Sequence, residues 1–249
     1  MKISGDSSDR AHANARFCTT RWSVVAMVGQ QGDPMAWSAL NDWCSHYWYP
    51  LYAFARRKGN SPEEAQDLTQ GYFALLLDKN TLHAADRDRG RFRTYLLATF
   101  ENFLQNEWTK QRTLKRGGGI TFVAWQADEA ETRYQQEPID GRTPEKIFEL
   151  RWAMSLLETV LGQLRAEFTR AGKTVEFETL EVFLSGEKHP ACYAQIAGKL
   201  ERSEGAVRVA VHRLRTRYGE LLRHAIAETL TDPSEVDDEL NHLFAILSG

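Results

Sequence analysis

Three cysteines, Cys18, Cys44 and Cys192, are too far apart and odd in number to build a disulfide framework. They form no C-x-x-C pair, so neither a zinc ribbon nor an oxidising compartment is expected. No apolar run approaches the roughly 20 residues that cross a bilayer, and no membrane segment is expected. Residues 1–14 are polar and lack the apolar stretch of a secretory leader, which points to a soluble, cytoplasmic protein. No segment alternates convincingly with period two, so strands are not expected. The sequence holds no P-loop, no nucleophile elbow and no metal-ligand spacing. His46, His83 and His189 stand in separate elements without a recognisable partner, so neither an enzyme nor a bound cofactor or metal is expected.

Strong net charge is also missing. The formal value is −3, which by itself argues against a nucleic-acid binder, but the charges are segregated. Residues 87–116 carry Arg87, Arg89, Arg91, Arg93, Lys110, Arg112, Lys115 and Arg116 against Asp88, Glu101 and Glu107. In residues 202–223 six arginines face Glu204 and Glu220. The compensating acid sits mid-chain (Asp128, Glu129, Glu131, Glu137, Asp140) and at the end (Glu228, Asp232, Glu235, Asp237, Asp238, Glu239). Two basic segments separated by acid are the layout of a protein that holds nucleic acid at two places.

At 249 residues and 42% hydrophobic, the chain is large enough for two small cores. Residues 1–16 are polar and expected to be disordered, and residues 20–28 offer a short amphipathic helix with Trp22, Val24 and Val25. From Trp37 apolar residues recur at helical spacing (Leu40, Trp43, Tyr47, Leu51, Phe54), with Pro50 expected to kink or split the helix. Ser61-Pro62-Glu63-Glu64 reads as a capping box that starts a second helix, with Ala65, Leu68, Tyr72 and Leu75/Leu76 as its buried stripe. A third helix from about 92 to 111 has Phe92, Leu96, Thr99/Phe100 and Phe103 inward.

Gly117-Gly118-Gly119 ends this all-helical unit, and residues 117–142 read as an irregular acidic linker, extended near 121–123. Helices resume at Thr143-Pro144 with Leu150, Met154, Leu157, Leu161 and Leu164 on one face, followed by a helix over 177–184. Asp232-Pro233-Ser234-Glu235 caps a last acidic helix with Leu240, Leu243, Phe244 and Leu247 on one face.

Residues 193–217 carry a helix-turn-helix pattern. Tyr193–Leu200 forms a short helix, Ser203 suits the next N-cap, and Val207, Val211, Leu214, Tyr218 and Leu221 fall in one narrow arc. The opposite arc holds Gly205, Arg208, Val209, His212, Arg213 and Thr216, a surface suited to a major groove. An ordinary helical hairpin with a solvated basic face is the alternative. The turn has Glu201 and Arg202 where DNA readers usually have Gly and an apolar residue, so a strained or differently shaped turn is expected.

On the third helix Tyr95, Asn102 and Asn106 form a stripe apart from the core stripe, beside Lys110, Arg112, Lys115 and Arg116. Amides bond exposed base edges, rings stack and cations hold the backbone, which suits single-stranded DNA. The alternative is a solvated face. Trp108 and Phe103 are expected to be core. The second helix has a polar face of Glu64, Asp67, Gln70 and Gly71, either solvated or fit to dock a partner helix.

In order, the chain shows Asp67-Leu68-Thr69-Gln70-x-Tyr72-Phe73, Phe92-Arg93-x-Tyr95-Leu96, Asn102 and Arg112. Tyr193-x-x-Ile196-Ala197-x-x-Leu200, Gly205-x-Val207 and His212-Arg213-Leu214 follow. This ordered set resembles the extracytoplasmic-function (ECF) sigma factors of bacterial RNA polymerase, over roughly 37–116 and 143–223. Thr20-x-Trp22-Ser23 and the acidic tail look like those of a longer-tailed subgroup.

The resemblance implies an all-α fold of two helical domains. These are a sigma region 2-like bundle over 17–116 and a sigma region 4-like helix-turn-helix domain over 143–230, with 231–249 as the acidic C-terminal helix. It implies core RNA polymerase and promoter DNA as partners and allows an anti-sigma factor. Asp67 and Gln70 match the helix that docks on the polymerase clamp, and Asn102 a position near the pocket for a flipped −10 base. Arg208 and Arg213, with Ser203, match the −35-reading helix. The acidic linker suits passage through polymerase channels as a mimic of nucleic acid.

Two other readings stay open: a free-standing helix-turn-helix regulator, and a helical interaction protein whose basic faces bind any polyanion. The C-terminal helix is expected either to fold back over the basic recognition helix or to pack on the second domain.

Overall fold

The computed structural model describes residues 34–78, 91–113, 127–136, 141–184, 193–230 and 232–248. These are helical and, among the described residues, contain no strand. The helices are α1 (Pro34–Arg57), α2 (Pro62–Asp78), α3 (Phe92–Thr113), α4 (Ala127–Gln135), α5 (Pro144–Arg170), α6 (Thr174–Leu180), α7 (Tyr193–Lys199), α8 (Glu204–Ala227) and α9 (Val236–Ser248). Short 3-10 turns cover Glu181–Leu184 and Pro233–Glu235. The chain divides into two compact units, one of Met1–Ala153 with Ala227–Gly249 and the other Met154–Ile226. The readings for residues 1–16, 20–28 and 121–123 lie outside the described residues.

In the first unit α1 is not split at Pro50, which lies inside one continuous 24-residue helix. An interior proline costs about 3 kcal/mol. Burial of Tyr47, Tyr49, Leu51, Tyr52, Ala53, Phe54 and Ala55 around it outweighs that cost. α1 ends where Gly59 turns left-handed (φ +96°), so that Asn60 N–H reaches Ala55 O and Gly59 N–H reaches Arg56 O. α2 then starts on the expected capping box. Ser61 N–H donates to Glu64 Oε2 at 2.9 Å, and Glu64 N–H donates to Ser61 Oγ at 3.2 Å.

The inner faces of the first three helices meet in an aromatic core. Tyr72 of α2 lies 4.9 Å from Phe100 and 5.6 Å from Phe103 of α3, centroid to centroid, and Phe54 of α1 lies 6.0 Å from Phe100. The Tyr72 hydroxyl donates to Leu96 O at 3.0 Å, so the ring is buried without an orphaned polar atom. Leu104 belongs to this core, whereas Leu75 is partly exposed.

The acidic linker is not wholly irregular, because α4 forms within it. Glu131 of α4 accepts from Arg56 Nε and Nη2, each at 2.9 Å, and from the Tyr52 hydroxyl. Partial burial resists ionisation of Glu131, yet the hydrogen bonds from Arg56 and Tyr52 outweigh it and hold the carboxyl below the usual glutamate range.

The C-terminal helix α9 also belongs to the first unit. Its Glu239, 0% exposed, accepts from Arg93 Nη1, and its other oxygen lies 2.9 Å from Arg91 Nη2. Arg93 is 3% exposed, with its guanidinium 4.3 Å from the centroid of the Trp152 ring. This differs from the expectation that the acidic helix folds over the recognition helix: its anchoring carboxylate grips the first basic segment, and its His242 lies 3.5 Å from Glu149 of α5. It also removes Arg91 and Arg93 from the cations counted toward nucleic acid.

In the second unit the buried line of α5 runs through Leu156, Val160 and Leu164. Of the expected face Leu164 is buried, whereas Leu150, Met154, Leu157 and Leu161 are half-buried, so the buried line runs one position before Leu157 and Leu161. Phe177, Leu180 and Phe183 of α6 and its following turn, Ile196 and Ala197 of α7, and Val207, Val211 and Leu214 of α8 complete this core.

Two outcomes follow from these contacts. Glu239→Ala leaves Arg93 buried without its carboxylate and is expected to cost about 3–5 kcal/mol in urea unfolding, whereas Arg93→Met with Glu239→Leu costs less. A loss below about 1 kcal/mol for Glu239→Ala contradicts the buried pairing. The depressed Glu131 carboxyl stabilises α4 docking above the normal glutamate range, and that contribution disappears as pH falls through its lowered folded value. Amide exchange in 127–135 is therefore expected to quicken on acidification, after correction for the intrinsic rate. Glu131→Gln abolishes that pH dependence, and an unchanged profile in the variant would refute the assignment.

Candidate nucleic-acid interface

α8 is preceded by Ser203, whose Oγ accepts from Ala206 N–H at 3.3 Å. Its hydroxyl therefore caps the helix, which accounts for Ser203 without any DNA contact. Val207, Val211 and Leu214 point into the core, and the helical period then forces Gly205, Arg208, Val209, His212, Arg213 and Thr216 outward, all exposed. Val209 is 50% exposed, an apolar group on a polar face and of a size to meet a thymine methyl. A Cβ built on Gly205 would meet nothing within 4 Å, so the outward face is open there.

The turn before α8 is strained at one residue. Glu201 has φ +52°, in the left-handed region, while Arg202 N–H donates to Ala197 O and Glu201 N–H to Gly198 O. This is the helix-ending motif that glycine usually fills. Arg202 clamps the turn through two bonds to Glu176 of α6, at 2.6 and 3.2 Å.

The arginines of the second basic segment divide by partner. Arg217 is held by both oxygens of Glu167 (2.9 and 2.7 Å) and by Glu220 at 2.9 Å. The Glu167 carboxyl is held below its usual range chiefly by the Arg217 hydrogen bonds. Arg215 donates Nε and Nη2 to the Phe183 carbonyl. Arg202, Arg215 and Arg217 thus brace the fold. Arg208 meets only Glu204 at 3.9 Å between exposed side chains, a weak pairing. Among the described residues no carboxylate pairs with Arg213.

On α3, Asn102 and Asn106 are exposed and Tyr95 is half-buried, its ring 6.2 Å from Phe92. The three share the outward stripe that the sequence picks out. Lys110 and Arg112 fall on α3, but their side chains, like the whole of Lys115 and Arg116, lie outside the described residues. Trp108, expected in the core, is 37% exposed and is fastened by its indole N–H to Asn60 Oδ1 at 3.3 Å. A bound edge and an open face explain why helical spacing alone misplaces it. On α2, Asp67 is exposed and Gln70 half-buried. Among the described residues no cluster of His, Cys, Asp or Glu could hold a metal, and no helix is long and apolar enough to cross a membrane.

Residues 45–113 match the family model of sigma-70 region 2. This segment is thus similar to one region of the sigma-70 family of sigma factors. It runs from within α1 to the end of α3 and therefore includes Asp67, Gln70, Tyr95, Asn102, Asn106, Lys110 and Arg112. No curated protein and no solved structure matches the chain.

The left-handed Glu201 generates a stability prediction. Glu201→Gly relieves a conformation that costs an L-residue about 1–2 kcal/mol and adds unfolded-state entropy, for an expected net gain of about 0.5–1 kcal/mol in thermal or urea unfolding. Destabilisation by this change would contradict the geometry of the turn.

Proposed function

We propose that this protein is an ECF-type sigma factor that binds core RNA polymerase and starts transcription at chosen promoters. The match of residues 45–113 to sigma-70 region 2 carries the reading. In it, the outer face of α2 with Asp67 and Gln70 docks on the polymerase. The stripe of Tyr95, Asn102 and Asn106, with Lys110, Arg112, Lys115 and Arg116, takes the opened −10 strand. The outward face of α8, with Gly205, Arg208, Val209, His212, Arg213 and Thr216, reads the −35 duplex, and Ser203 serves by capping that helix.

The mechanism needs no bond chemistry from this chain. Flipping a base out of a duplex costs a few kcal/mol. An amide and a ring that bind the base only when it is unpaired offset that cost at the sequences they fit. Recognition thereby becomes strand opening. Phosphate contacts at both sites make the assembly steeply salt-dependent.

A free-standing helix-turn-helix regulator is the second reading, favoured by the outward face of α8 lying beyond the matched segment. It requires duplex binding without polymerase and no effect from changes on α2. Transcription in vitro with core polymerase and genomic fragments separates the two. Sequence-specific starts are expected only when the protein is added. Asp67→Ala or Asn102→Ala is expected to lower their yield about tenfold, as for a lost contact of about 1.4 kcal/mol. No start from any fragment, or full yield from both variants, contradicts the proposal.

A further inference from the structure

Three side chains of the second unit form a ladder beside α8. Phe183, buried in the turn Glu181–Leu184, stacks on the Tyr193 ring with centroids 4.9 Å apart and planes 18° from parallel. Tyr193 opens α7, and its ring carries the Arg208 guanidinium at 4.3 Å from the centroid. The ladder closes on itself. Arg215, two turns along α8 from Arg208 on the same flank, donates Nε at 3.1 Å and Nη2 at 2.9 Å to the carbonyl of that same Phe183. One arginine of α8 thus fixes the rung on which another rests.

The manner of holding decides what each arginine has left to offer. A guanidinium carries its N–H donors in its plane and its apolar faces above and below. Arg202 and Arg217 give in-plane donors to carboxylates, and Arg215 gives two to a carbonyl. Arg208 is instead set over a ring, its guanidinium carbon 4.3 Å from the Tyr193 centroid. Resting over the ring limits its movement, while its side chain is 62% exposed and the carboxylate recorded beside it, Glu204, is 3.9 Å away. An oriented fork with a free edge is what bidentate recognition of guanine O6 and N7 requires in a major groove. A freely rotating arginine of equal charge would favour phosphate contacts, which do not discriminate sequence.

We propose that Tyr193 is a positioning residue for sequence readout: with Phe183 beneath it, Tyr193 holds Arg208 ready to read one guanine in duplex DNA. The inference rests on the proposed meeting of α8 with duplex, and it adds a residue outside that face on which specificity depends. It separates two roles within one basic segment. Arg213 contributes affinity at any sequence, while Arg208 contributes a base preference that exists only as long as the stack does.

The test uses holoenzyme reassembled from core polymerase and the full-length chain, with a library of duplexes of randomised sequence as probe. Bound duplexes are sequenced, and retention is repeated at several salt concentrations. Arg208→Ala and Tyr193→Met are expected to lose about tenfold in preference for guanine at the same single position, equivalent to about 1.4 kcal/mol. Preferences elsewhere in the site stay as in the unaltered protein. Tyr193→Met keeps the salt slope, since no phosphate contact is removed. Tyr193→Phe, which retains the ring, restores the preference.

Should Tyr193→Met melt well below the unaltered protein, Phe183→Leu removes only the lower ring and gives the same comparison. Full guanine preference in Tyr193→Met or its folded substitute overturns the proposal. So does a loss spread evenly over all positions, or a Tyr193→Phe variant as impaired as Tyr193→Met. If the unaltered holoenzyme selects no duplex sequence at all, the reading of α8 fails, and the positioning role fails with it. That outcome is distinct from selection that survives loss of the ring.

Discussion

An arginine whose in-plane donors are taken by a carboxylate or a carbonyl has few left for a phosphate or a base, and this constraint sorts the basic residues into struts and readers. Arg56, Arg93, Arg202 and Arg217 each meet a glutamate, and Arg215 meets a carbonyl. These pairs fix linker to bundle, tail to bundle and turn to helix. On the α8 face proposed to meet duplex, the exposed arginines are Arg208, which rests over the Tyr193 ring, and Arg213. The basic character of the segment therefore overstates its capacity for nucleic acid, and a smaller set of groups carries the proposed function.

The same economy governs α3. Its inner face is fixed by the ring contacts of Phe100 and Phe103 with Tyr72 and by the Tyr72 hydroxyl on Leu96 O. Rotation about the helix axis is thereby set, and the stripe of Asn102 and Asn106 is left exposed. Amides unused by the core and held on a rigid helix lose little freedom on meeting a base. In both units the packing of one face determines what the other offers. In the proposed function the aromatic cores therefore act by orienting the outward faces, although none of their rings need touch DNA.

Much of this was legible in the sequence, for a physical reason. The capping box at Ser61 and the α8 arc of Val207, Val211 and Leu214 depend on neighbours within two turns, and helical periodicity reports such neighbours directly. Long-range pairs leave no such trace. Arg93 looks like any other basic residue until Glu239, far along the chain, is found beside it. Glu131 looks like linker acid until Arg56 and Tyr52 claim it, which is why α4 escapes a reading of composition alone. The α5 stripe misleads because the adjacent apolar pairs Leu156-Leu157 and Val160-Leu161 offer two helical lines, and spacing alone does not choose between them. The Tyr193 ladder joins a turn and two helices and has no periodic signature at all.

The central claim is that one chain meets paired and unpaired promoter DNA through different helices. Photo-crosslinkers placed singly at 102 and at 213, in holoenzyme bound to a promoter fragment recovered by start-site mapping, test it most directly. The account predicts that position 102 labels one strand inside the opened segment and that position 213 labels intact duplex upstream of it. Labelling of duplex from both positions, or of DNA from neither, would contradict it.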